Sequence, residues 1–117
     1  MGQVLPVTTD QFQQEVLESN EPVLVDFYAS WCGPCRALAP LLTKLAEEFA
    51  GRVKFVKVDT DAESELAAHF EVQSIPTLLF VSHGQAVGRT AGLTPEAHLR
   101  AALQQLLDFD DQARRTC

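Results

Sequence analysis

The run Val23-Leu24-Val25-Asp26-Phe27-Tyr28 constrains the fold more than any other stretch. It is apolar or aromatic at every position but one and carries β-branched residues, so it reads as a strand buried on both faces. Such a strand needs covering elements on each side. From Pro34 to about Phe49, the residues Leu38, Leu41, Leu42, Leu45 and Phe49 recur at helical spacing, while Lys44, Glu47 and Glu48 point away. Gly51 closes that helix. Val53–Val58 reads as a second interior strand. Thr60-Asp61-Ala62-Glu63 has the form of a capping box opening a short helix through Leu66, Ala67 and Phe70. Upstream, Thr8-Thr9-Asp10 is suited to cap a helix bearing Phe12, Val16 and Leu17. Thr77–Val81 and Ala86–Thr90 flank Ser82-His83-Gly84-Gln85 and form a hairpin. Thr94-Pro95 starts a last helix with Leu99, Leu103, Leu106 and Leu107 inward.

Strand–helix–strand alternation requires parallel pairing through right-handed crossovers, and the hairpin adds an antiparallel edge. The expected class is α/β, a central mixed β-sheet of four to five strands flanked by about four α-helices. With 117 residues and 46% hydrophobic side chains, the chain suits one domain whose core needs no disulfide staples. That domain is expected over 1–109, with 110–117 a polar, flexible tail.

The formal charge of −7 argues against nucleic acid or an anionic membrane surface as the main partner. No apolar run approaches the ~20 residues of a membrane span. Met1–Pro6 has no basic region leading into an apolar stretch, so a cytoplasmic location is the expectation, and a monomer is expected besides.

The chemistry lies in Trp31-Cys32-Gly33-Pro34-Cys35, at a strand-to-helix junction. The third cysteine, Cys117, is the last residue and reads as an incidental thiol. Cys-x-x-Cys serves either redox chemistry or half of a zinc site, and a zinc site needs two more ligands. His69, His83 and His98 are scattered and form no compact pair, which favours redox and no metal. Cys32 falls at a helix N-terminus, where free N–H groups and the helix dipole favour a thiolate. Cys35 lies one turn on, within bridging reach and more sheltered. Cys32 is therefore expected to be the exposed nucleophile and Cys35 the resolving thiol. Pro34 needs no N–H in the first turn, and Gly33 keeps bulk from the sulfur.

The segment Val25–Cys35, Pro40 within the helix, Ile75-Pro76-Thr77, Gly84 and Ala91-Gly92 together resemble the thioredoxin family in order and separation. The chain departs from that pattern at Tyr28, where many members have Trp, and at Arg36, where Lys is common. The resemblance implies the thioredoxin fold and a redox disulfide, Cys32–Cys35. It also implies a cis peptide at Ile75–Pro76, with the Ile75 backbone free to bond an extended substrate segment and Gly92 leaving room for it. The partners it implies are protein disulfides and an NADPH-linked thioredoxin reductase. The chain itself carries no nucleotide motif, so no cofactor is expected. Gly-Pro between the cysteines resembles the reducing members. The rival class is a thioredoxin-like binding or assembly module without catalysis.

Asp26 has two readings. As in the family it resembles, it serves as proton acceptor for Cys35; alternatively it is a buried carboxylate paired with Lys57 on the neighbouring strand. Lys57 itself has a structural or a tuning role. Trp31, just before the thiolate, is expected to form part of a flat docking face together with Gly33, Pro34, Ile75, Pro76 and Gly92.

Overall fold

The computed structural model describes residues 2–116, and Cys117 lies outside the described residues. The elements follow the order β1 (Val4–Pro6), α1 (Thr9–Phe12, continuing as a wider turn through Gln13–Leu17), β2 (Val23–Tyr28), α2 (Gly33–Glu48), β3 (Lys54–Asp59), α3 (Ser64–His69), β4 (Thr77–Ser82), β5 (Gln85–Ala91) and α4 (Glu96–Thr116). The five strands lie in one sheet in the order β1-β3-β2-β4-β5. β2 runs parallel to β3 and antiparallel to β4, and β1 pairs parallel with β3. This is the mixed sheet expected from the alternation of strands and helices.

The period of two along β2 divides the core. Leu24 joins Leu38, Leu42 and Leu45 of α2 and Leu99 and Leu103 of α4 on one face. Val23, Val25 and Phe27 meet Phe12, Val16 and Leu66 on the other. Asp26 alternates with Val25 and Phe27 and therefore faces α2. Lys57 shares that face, because its neighbours Val56 and Val58 belong to the opposite cluster.

The hairpin turn has His83 at φ 50° and Gly84 at φ 78°, both left-handed, which matches the twist of the joined strands. β1 escaped the sequence reading because its three residues, ending in Pro6, are too few to show a period. The expected capping box at Thr60 is not what opens α3. Asp59 Oδ1 instead accepts from the Asp61 N–H at 2.9 Å and the Ala62 N–H at 3.3 Å, and the helix begins at Ser64. Glu63 turns away and accepts from the N–H and hydroxyl of Thr9 at the start of α1.

The polar C-terminal segment also departs from expectation. Residues 110–116 do not leave the domain at Phe109 as a tail but continue α4. Asp110 is buried and accepts from the Ser82 hydroxyl at 2.8 Å and from Arg114 Nε at 2.9 Å, and Arg114 also donates to the Asn20 carbonyl. The composition looked solvated because the partners that bury it come from β4 and the α1–β2 turn. Asp110→Ala should strand the buried Ser82 hydroxyl and lower unfolding free energy by about 1–3 kcal/mol. Urea denaturation measures the loss, and an unchanged midpoint would show that the anchor contributes nothing.

Candidate active site

Cys32 is the N-cap of α2, extended at φ −83° and ψ 114°, and its sulfur accepts from the Cys35 N–H at 3.2 Å. Pro34 occupies the first turn, where its missing N–H leaves no bond unmade. Cys32 and Cys35 are joined as a disulfide, with Cα atoms 5.3 Å apart. The expected difference in exposure between the two cysteines is absent in this oxidised form. Cys32 is 4% exposed and Cys35 5% exposed, and both pack with Ala29 beneath Tyr28 and Ile75.

The asymmetry lies in what each sulfur faces. Cys32 Sγ is 3.7 Å from the Ile75 carbonyl oxygen, beside the cis Ile75–Pro76 peptide. Cys35 instead lines a cleft of about 300 Å³ with Asp26, Tyr28, Ser30, Arg36 and Lys57. The sequence alternation thus brings Asp26 to the second cysteine and the distant Ile75 to the first.

Asp26 is buried, and burial pushes its carboxyl from 3.8 up to about 7, with the Lys57 ammonium partly offsetting that rise. Its Oδ1 has no hydrogen-bond partner among the described residues. Asp26 and Lys57 are register partners on β2 and β3, but the ammonium does not bond the carboxylate and lies 5.5 Å from the centre of the Tyr28 ring. The arrangement is therefore not the closed ion pair of the structural reading.

Around the sulfurs, Gly33 and Pro34 are exposed, Ile75 and Gly92 are half-buried, and Pro76 is buried. The Gly92 N–H donates to the Pro76 carbonyl at 2.8 Å with Gly92 at φ 82°. A Cβ there would meet no atom within 4 Å, so backbone conformation and not crowding calls for glycine. Trp31 is 66% exposed, and its indole N–H donates to Asp61 Oδ2 at 2.8 Å. In the sequence Asp61 stands only as an inner residue of the Thr60–Glu63 capping pattern. No local signal could have revealed its role, since the contact joins different elements. Leu93, 60% exposed beside Gly92, likewise went unremarked.

Among the described residues, no three His, Cys, Asp or Glu side chains converge as a metal site. No helix among them is long and apolar enough to cross a membrane.

A mixed sheet carrying a helix-capping Cys-x-x-Cys disulfide beside a cis-proline defines a dithiol–disulfide oxidoreductase site. The thioredoxin family model matches residues 3–105. Thioredoxin 1 of Nostoc sp. is 43% identical over 107 residues, covering 92% of this chain and 100% of the relative. Thioredoxin of Haemophilus influenzae is 44% identical over 105 residues, covering 90% and 98%. Among solved structures, Malassezia sympodialis thioredoxin (Mala s 13) superposes with a TM-score of 0.83 at 36% identity, covering 92% of this chain and 93% of that one. The chain belongs to the thioredoxin family, and it is a thiol–disulfide oxidoreductase acting on protein disulfides.

Proposed function

We propose that the chain works as a protein-disulfide reductase with Cys32 as nucleophile, Cys35 as resolving thiol and Asp26 as proton acceptor. The observation that carries this reading is the position of Cys32 Sγ at the start of α2, accepting a backbone N–H, where a thiolate gains from both the hydrogen bond and the helix dipole. In the reduced protein the Cys32 thiolate attacks one sulfur of a partner's disulfide. That bond breaks, one partner thiolate leaves, and a mixed disulfide forms on Cys32. Cys35 gives its proton to Asp26, directly or through water, and its thiolate attacks Cys32 Sγ. The partner leaves with both cysteines reduced, and the protein carries the Cys32–Cys35 disulfide.

A carboxyl raised to about 7 suits this task, because near neutral pH it is ionised often enough to accept and acidic enough to release. Lys57, close by on β3, tunes that balance through its charge. Exposed Trp31, Gly33 and Pro34, with Ile75, Pro76 and Gly92, form the docking face for an extended segment of the partner. Members of the family are reduced by thioredoxin reductase. An NADPH-linked enzyme of that kind returns this chain to the dithiol, with the protein working as a cytoplasmic monomer in the reducing direction. Cys35→Ser should hold partners on Cys32 as mixed disulfides that dithiothreitol releases. The capture is read on non-reducing gels, and capture by Cys32→Ser in place of Cys35→Ser would reverse the two roles.

A further inference from the structure

Leu24, Asp26 and Tyr28 project from the same face of β2, and Lys57 stands opposite Asp26 on β3. Two groups near the Lys57 ammonium bear on the site. One is Asp26, whose buried Oδ1 has no hydrogen-bond partner among the described residues. The other is the Tyr28 ring, and the ammonium lies 5.5 Å from its centre. An ammonium over an aromatic face is held by the ring's quadrupole. Burial, then the carboxylates of Asp59 and Asp26, push the Tyr28 phenol above its ordinary range, so the ring is a neutral phenol under working conditions.

Other charges stand around Asp26 as well. Arg36 of α2 lines the cleft but donates to the Ser30 carbonyl at 2.8 Å. Asp59 of β3 accepts from the β3–α3 turn. Glu47 of α2 lines a second space, on the β1 side, together with both Asp26 and Lys57, so its carboxylate also faces the pair. Cys35, the remaining titratable group on the cleft, is in the disulfide.

We propose that Tyr28 is a positioning residue whose ring holds the Lys57 ammonium away from Asp26, keeping that carboxyl a proton acceptor and preventing it from closing into a salt bridge. The inference rests on the reading of Asp26 as the acceptor for Cys35. It gives the Tyr at this strand end a function that the hydroxyl does not supply: any aromatic ring would serve and an aliphatic side chain would not. Without the ring, the nearest compensation for the ammonium is the bare carboxylate, and an opposite charge that close favours ionisation.

The test is NMR titration of the Asp26 carboxyl in the oxidised protein. Tyr28→Leu should lower the Asp26 midpoint by on the order of one pH unit. Tyr28→Phe should leave it where it is, and in a Lys57→Met background Tyr28→Leu should have no effect. In the wild type and in Tyr28→Phe the Lys57 ε-methylene protons should be ring-shifted upfield of the other lysines, a measurement that does not depend on Tyr28→Leu folding. An unchanged or raised midpoint in Tyr28→Leu, or unshifted ε-methylene protons, would overturn the proposal. The acceptor reading fails separately, if Asp26→Asn leaves the rate of the Cys35 step unchanged while the midpoints behave as forecast.

Discussion

Cys32→Ser is expected to bring insulin reduction down to the dithiothreitol background, a loss of at least about a thousandfold. The substitution removes the only cysteine at the helix N-terminus, where the Cys35 N–H and the dipole favour a sulfur anion. Cys35 is a poor substitute. It lies inside α2 and faces the cleft that holds Asp26. Serine keeps the cap, since its hydroxyl also accepts from the Cys35 N–H, so the fold should survive and the loss should be chemical. The check is the insulin precipitation rate beside a thermal melt of the variant. Turnover within tenfold of wild type would remove Cys32 from the role of nucleophile.

Asp26→Asn should make the oxidised protein more stable, and only above acidic pH. The carboxyl is raised in the folded state, from 3.8 to about 7, because burial penalises its charge. Below pH 4 it is protonated in both folded and unfolded chains and contributes no difference. As pH climbs from about 4 to 7 the unfolded chain loses this proton while the folded chain keeps it, so folding stability falls through that window. Above 7 the penalty is complete. At about 1.4 kcal/mol per pH unit of displacement, its ceiling is on the order of 4 kcal/mol. The neutral amide carries no such penalty. Urea unfolding of both proteins at pH 4 and pH 8.5 should show curves that coincide at the lower pH and separate at the higher. An equal gap at both would place the effect in packing and not in ionisation.

Much of the site was legible in the sequence because its parts are local. The apolar run Val23–Tyr28, the junction at Cys32 and the helical spacing of Leu38, Leu42 and Leu45 each fall within a few residues. Their geometry follows from backbone periods and from a helix's unpaired first N–H groups. The errors came from non-local contacts. Equal covering of Cys32 and Cys35 depends on Ile75, 43 residues beyond Cys32 in sequence. The continuation of α4 through Thr116 depends on Ser82 receiving Asp110. Trp31 is held by Asp61, a residue that local pattern assigns only to the Thr60–Glu63 cap.

By itself, then, the sequence determined the strand–helix alternation, the interior position of Asp26 and the cysteine spacing that makes a bridge across one helical turn. Those are consequences of period and short-range sterics, complete within a single element. Only the tertiary structure decided which face each sulfur looks onto, that Lys57 leans on Tyr28 and not on Asp26, and how Asp61 fixes Trp31 at the rim. These depend on where a parallel register and a crossover place side chains from separate elements, which no local pattern encodes.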